Sequence, residues 1–135
     1  MRRGLATLNL YADDLAAARA WYTEVLGIEP YFVREIHGAT AYVEYRVGPR
    51  EDELGLVDAR FAAGDRDPAR PGGAVVYWHV DDLDATLERL LALGARLHEP
   101  RIERGPGFVT AAVVDPFGNV LGVMYNQHFA EGTRT

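Results

Sequence analysis

The sequence predicts an α+β fold built from two similar β-α-β-β-β modules. Three observations lead there. Asp13-Asp14-Leu15 recurs as Asp81-Asp82-Leu83 half a chain later. Each copy follows a short alternating apolar segment and opens a helical pattern. Each pattern then stops at a glycine, Gly27 or Gly94, with strand-like stretches beyond it. A strand, cap, helix and stop recurring in one order is the mark of a duplicated supersecondary unit.

In the first module, about residues 4–58, Leu8 and Leu10 alternate with Thr7, Asn9 and Tyr11, which gives a strand with one apolar and one mixed face. Asp14 is placed to cap the following helix, because its carboxylate accepts a helix-start N–H. Leu15, Ala18, Tyr22, Val25 and Leu26 fall on one helical face, and Gly27 stops the helix. Three extended segments follow at Tyr31 to Ile36, Thr40 to Val47 and Glu53 to Val57, the first two joined by a turn at His37-Gly38. On the middle segment Ala41, Val43, Tyr45 and Val47 form the core set. Two readings are open for Tyr42, Glu44 and Arg46: a pocket-facing set or an outward polar face.

Residues 59–73 hold Pro68, Pro71 and Gly72-Gly73 among mixed charges, and read as an exposed, mobile linker. The second module, about 74–127, starts with Val76, Trp78 and Val80 alternating with Val75, Tyr77 and His79. Asp82 caps a helix with apolar positions at Leu83, Leu87, Leu90 and Leu91. Strands follow at Arg96 to Glu103, Phe108 to Val114 and Val120 to Asn126, with Asp115-Pro116-Phe117-Gly118-Asn119 as a turn before the last. Residues from Ala130 onward read as a frayed tail.

Composition limits the chemistry. The 135 residues contain no Cys, Ser or Lys, and all 14 basic residues are Arg. That removes the thiolate nucleophile, the Ser–His triad, the Schiff-base amine, the phosphate-loop lysine and thiolate metal sites. The net charge of −6 disfavours nucleic acid, which needs a concentrated positive patch. It suits a cationic ligand, and it equally serves solubility. No apolar run reaches the roughly 20 residues of a membrane helix, and Met1-Arg2-Arg3-Gly4 leads into a strand rather than a signal-peptide core, so a cytoplasmic protein is expected.

Asp-Leu at the first helix start, Trp21-Tyr22-x-x-Val25-Leu26-Gly27 at its end and Asp115-Pro116-x-Gly118-Asn119 before the last strand carry a family resemblance. With the duplicated module, the chain resembles the vicinal oxygen chelate superfamily of glyoxalase I, extradiol dioxygenases, methylmalonyl-CoA epimerase, fosfomycin-resistance enzymes and bleomycin-binding proteins. The resemblance implies curled mixed sheets forming a cup-shaped pocket, and commonly a homodimer. Its metal-dependent members place His, Glu or Gln at four cup-facing points, which fall here at Thr7, Gly55, Val75 and Gly122, with Glu53 near Gly55 on the same face. This set lacks metal-donating side chains apart from the weak Thr7 hydroxyl, so neither a metal nor another cofactor is expected.

Strand alternation then gives a ligand-binding lining of Thr7, Asn9, Tyr11, Tyr42, Glu44, Arg46, Tyr77, His79, Met124 and Asn126. His37 falls in a turn, His98 on an outer strand and His128 in the tail. His79 has two open readings, a satisfied pocket-rim residue or an acid/base. Three functions follow. The first is a metal-free binding protein holding a small aromatic or cationic organic molecule. The second is a metal-free isomerase- or cyclase-like enzyme using Glu44 or His79, and the last a metal-dependent lyase or dioxygenase.

Overall fold

Cap residues and period-two strands set the architecture, which the computed structural model describes for residues 6–62 and 66–132. The chain divides into two compact units, residues 1–66 and 67–135, and the division falls inside the segment read as a linker. The readings made for residues 1–5, 63–65 and 133–135 lie outside the described residues.

The first unit runs β1 (Thr7–Ala12), α1 (Leu15–Leu26), β2 (Phe32–Ile36), β3 (Ala39–Val47) and β4 (Asp52–Asp58), then a single 3-10 turn at Ala59–Phe61. Its sheet has the order β1-β4-β3-β2, with β1 parallel to β4 and the other pairs antiparallel. Asp14 Oδ1 accepts the Ala17 N–H at 3.0 Å, so the predicted cap starts α1. Gly27 ends it in the left-handed conformation at φ 67°, a backbone that costs a residue with a side chain far more. His37 and Gly38, with φ 52° and 78°, make the two-residue β2–β3 turn that matches the twist of a hairpin. One face of the sheet buries Ala41, Val43, Tyr45, Leu54 and Leu56 with Leu15, Ala18 and Tyr22 of α1. The Tyr45 hydroxyl ties strand to helix by donating to Arg19 O at 3.0 Å.

The second unit repeats the order: β5 (Val76–His79), α2 (Leu83–Ala92), β6 (Arg96–Gly105), β7 (Phe108–Val114) and β8 (Val120–Asn126), closed by α3 (Gln127–Gly132). Its sheet runs β5-β8-β7-β6, with β5 parallel to β8. Asp82 caps α2 through Ala85 N at 3.0 Å. Leu83 and Leu90 are buried with Ala111, Val113, Leu121 and Val123. The Asp115 carboxylate, 2% exposed, organises the β7–β8 turn: Oδ1 accepts from Phe117 N and Asn119 N, and Oδ2 from Asn119 Nδ2, at 2.8–2.9 Å. Both units are thus β-α-β-β-β modules with open, mixed four-stranded sheets. No helix among the described residues is long and apolar enough to cross a membrane.

Four expectations change. The tail reading gives way to α3 at residues 127–132, because Asn126 Oδ1 caps its Phe129 N–H at 3.1 Å and Gln127 N donates to Gly107 O at 3.0 Å. The segment expected to be a mobile linker makes close contacts at two of its described residues. In the first unit Arg66 Nη2 donates to Tyr11 O at 3.1 Å, and in the second Pro68 packs so closely on Gly118 that a Cβ there would lie 2.5 Å from Pro68 O. Leu91, named among the apolar positions of α2, is 39% exposed, since one residue past Leu90 it lies roughly 100° round the helix from the stripe formed by Leu83 and Leu90. The strand β5 starts at Val76, which leaves Val75 just ahead of the ladder.

Candidate functional site

In each unit the helix covers one sheet face, and the chemistry lies on the other. On the first unit's open face the register aligns Thr7 with Glu53 and Asn9 with Gly55 between β1 and β4. Between β3 and β4 it aligns Tyr42 with Val57, Glu44 with Gly55 and Arg46 with Glu53. Thr7, Asn9, Tyr11, Tyr42, Glu44 and Arg46 are therefore brought to one face, opposite α1. Period two requires this once Ala41, Val43 and Tyr45 are buried against the helix.

Glu44 is the hub. Although only 8% exposed, its carboxylate has every strong partner it needs: Tyr42 OH donates to Oε1 at 3.0 Å, and Arg46 reaches Oε2 through Nε at 3.0 Å and Nη2 at 2.8 Å. Burial works against the charged form, yet the hydrogen bonds from Arg46 and Tyr42 outweigh it and hold the carboxyl below the usual glutamate range. Burial, the bond to Glu44 and the charges of Glu44 and Glu53 push the Tyr42 phenol up to about 12. The Glu44 bond keeps the Arg46 guanidinium protonated beyond its ordinary range. Arg46 also lies over the Tyr31 ring, 4.6 Å from its centroid. A carboxylate held ionised by three donors binds and orients well but is a weak proton acceptor.

The second unit builds a related network from other strands. Tyr77 OH donates to Glu99 Oε2 at 3.0 Å, Arg104 Nη2 to Glu99 Oε1 at 2.7 Å, and Arg104 Nε to Thr110 Oγ1 at 3.2 Å. Burial, then the Glu99 bond and charge, raise the Tyr77 phenol. Met124 pairs in register with Thr110 on one side and His79 on the other. Sequence reasoning missed Glu99, Arg104 and Thr110 here, and Glu53 and Tyr31 in the first unit. A signal existed only for Glu53, which shares the Gly55 face by alternation.

Two named candidates hold structural positions. His79 Nδ1 accepts the Asn126 backbone N–H at 3.1 Å, Nε2 lies 3.1 Å from Asp81 Oδ1, and the ring packs against Tyr125 and Phe129. Both nitrogens are thus engaged, the arrangement that the satisfied reading of this histidine describes. Asn126 uses Oδ1 to cap α3 and Nδ2 toward Met124 Sδ at 3.7 Å.

The four points that the resemblance assigns to a metal can be tested directly. Gly55 pairs with Asn9, two residues after Thr7, and Gly122 pairs with Tyr77, two residues after Val75, so the two glycines hold equivalent places in the two sheets. At both, neighbouring side chains stand where a side chain would begin. A Cβ on Gly55 would collide with Asn9 Oδ1 and lie 2.6 Å from Tyr42 Cε1; one on Gly122 would lie 2.6 Å from Tyr77 Cδ1. Carboxylate ligands do not fit at either place, and the nearby Glu44 and Glu99 are bound to guanidinium groups. Among the described residues no group of three His, Asp or Glu side chains is arranged to hold a metal ion. The donor set does not suit a divalent ion.

Comparison with curated proteins gives no match. Solved structures do match. A glyoxalase-related enzyme from Fulvimarina pelagi is 23% identical, with TM-score 0.71 over 92% of this chain and 88% of that one. A bleomycin resistance determinant encoded on the transposon Tn5 is 24% identical, with TM-score 0.64 over 92% and 98%. Lactoylglutathione lyase from Agrobacterium tumefaciens is 27% identical, with TM-score 0.63 over 90% and 92%. The family profile described as Glyoxalase/Bleomycin resistance protein/Dioxygenase superfamily matches residues 4–123. With both modules and their order in agreement, the chain belongs to the glyoxalase/bleomycin resistance protein/dioxygenase superfamily.

Proposed function

We propose that this protein binds a small organic molecule, aromatic or cationic, in the manner of the resistance-type members of its superfamily and without a resident divalent metal. The observation that carries this reading is the filling of both glycine places: Tyr42 and Asn9 lie over Gly55, and Tyr77 over Gly122. Aromatic rings and fixed hydrogen-bonding groups stand where metal-dependent relatives need a donor. Such faces suit a flat or amphipathic ligand held by stacking and a few directed hydrogen bonds. The acid/base alternative finds no support in Glu44, held ionised under three donors, or in His79, whose nitrogens are both engaged.

A thermal-shift screen tests the proposal. Aromatic amines and related natural products are expected to raise the melting temperature, because a ligand at about 100 times its Kd adds roughly 2.7 kcal/mol to the native state. Zinc, manganese, nickel and cobalt salts are expected to leave it unchanged. A divalent ion that co-purifies stoichiometrically and whose removal lowers the melting temperature would overturn the metal-free reading.

A further inference from the structure

The β5–β8 ladder is completed by a side chain. Its last pair is His79 with Met124, and Val80 N donates to Met124 O at 2.8 Å before the chain turns at Asp81 toward α2. Residues two apart on a strand direct their backbone groups to the same side, so the Asn126 N–H also faces β5, beyond that strand's last paired residue. The His79 ring takes the place of the next carbonyl: Nδ1 accepts this N–H at 3.1 Å. The helix α3 begins at the following residue and hangs on the same corner. Asn126 Oδ1 accepts the Phe129 N–H at 3.1 Å, Gln127 N donates to Gly107 O at 3.0 Å, and the Phe129 ring centroid lies 5.3 Å from that of His79.

A backbone N–H can only donate, so this bond fixes the state of the imidazole. Nδ1 carries the lone pair and Nε2 the hydrogen, which it donates to Asp81 Oδ1 at 3.1 Å. A proton added at Nδ1 turns the acceptor into a donor aimed at another donor. Water has little room to relieve the conflict, since the His79 side chain is only 11% exposed. Asp81 does not offset it either. It lies two residues from His79 in the same turn, so it attends the ring whether or not α3 is docked, and its 98% exposure leaves its charge screened. Tyr125 of β8 and Phe129 of α3 meet the ring as aromatic faces. Of the other titratable groups nearby, Asp82 is committed to the α2 cap, His128 of α3 is exposed, and Glu131 accepts from Gln127 Nε2 at 3.0 Å.

We infer that His79 is an acid-sensitive latch on α3: protonation at Nδ1 removes the acceptor of the Asn126 N–H and releases residues 127–132 from the end of β8. The latch is independent of ligand binding. Its sign follows from linkage. Opening α3 takes up a proton, so docking holds above the range in which an ordinary imidazole titrates, near pH 6.5, and weakens as the pH falls through it.

The test uses the full chain and NMR amide exchange, expressed as protection factors so that the intrinsic pH dependence of exchange is removed. Protection at Asn126, Gln127 and Phe129 is expected to fall about fivefold from about pH 7.5 to about pH 5.5, with α1 unchanged. In His79→Asn, whose Oδ1 can accept the same N–H without titrating, and in His79→Ala, which has no acceptor, protection at these amides is expected to be independent of pH. His128→Gln is expected to keep the native fall. Ring nitrogen shifts are expected to show a bare Nδ1 at neutral pH. Constant protection in the native protein, an equal fall in His79→Asn or His79→Ala, loss of the fall in His128→Gln, or a hydrogen on Nδ1 at neutral pH would each overturn the latch.

Discussion

The Tyr77 ring lies directly over Gly122, so that a Cβ at that glycine would stand 2.6 Å from Cδ1 and 2.9 Å from Cγ of the tyrosine. The contact is with the root of the ring, which cannot swing away without giving up the 3.0 Å bond from the Tyr77 hydroxyl to Glu99. Gly122→Ala is therefore expected to destabilise the protein by about 1–3 kcal/mol, the usual cost of overpacking. Chemical denaturation measures it. The double variant Gly122→Ala/Tyr77→Ala is expected to lose less than the sum of the two single changes, because removing the ring relieves the clash that the added methyl creates.

Glu44→Gln removes the charge that holds Arg46 and leaves a buried amide in its place. The expected loss is about 1–3 kcal/mol near neutral pH. The sign of the pH effect follows from the lowered carboxyl: the native state favours the ionised form, so its contribution is present above the ordinary glutamate value and disappears as acid titrates the folded state. The stability difference between wild type and Glu44→Gln should accordingly narrow as the pH falls.

At the alkaline end the direction reverses. The Tyr42 phenol ionises at about 12 when folded and near its ordinary 10.0 when unfolded. Between those values the unfolded chain releases a proton that the native state retains, so stability declines as the pH rises through this window. Tyr42→Phe is expected to flatten part of that decline and to remove one late phenolate step from an ultraviolet absorbance titration. A titration unchanged by the substitution would contradict the assignment.

His79→Ala takes away the ring nitrogen that receives the Asn126 N–H. An amide left without an acceptor at the entry to α3 costs about 1–3 kcal/mol. Amide hydrogen exchange is expected to speed up at Asn126 and along residues 127–132, with α1 unaffected.

Asp115→Ala releases two backbone N–H groups and the Asn119 amide at once. A loss of roughly 2–4 kcal/mol is expected by denaturant titration, since the carboxylate is buried and nothing replaces it.

Much of the architecture was legible in the sequence because its signals are local. Asp14 and Asp82 name the helix starts through a side chain and an N–H three residues on, and His37-Gly38 names a hairpin through two adjacent dihedrals. The burial of Val43 and Tyr45 follows from alternation within one strand, and with it the placing of Tyr42, Glu44 and Arg46 on the opposite face. What escaped needs relations between strands. Glu99 and Arg104 share one face only because β6 shifts register on both sides of Glu99, which breaks period two. The weak claim of Arg46 on Glu53 depends on distances that differ by less than 1 Å. His79 obeys alternation in its backbone, yet its ring serves the main chain of the neighbouring strand, and alternation carries no information about that choice.

The two glycine places also bear on how this lineage can change. Asn9 from β1 and Tyr42 from β3 cover the first and Tyr77 from β5 the second, so the halves fill equivalent places with different side chains. A donor side chain at either place would therefore have to be introduced together with a smaller residue in place of the group above it, so an ion site in this chain would need paired substitutions in each half.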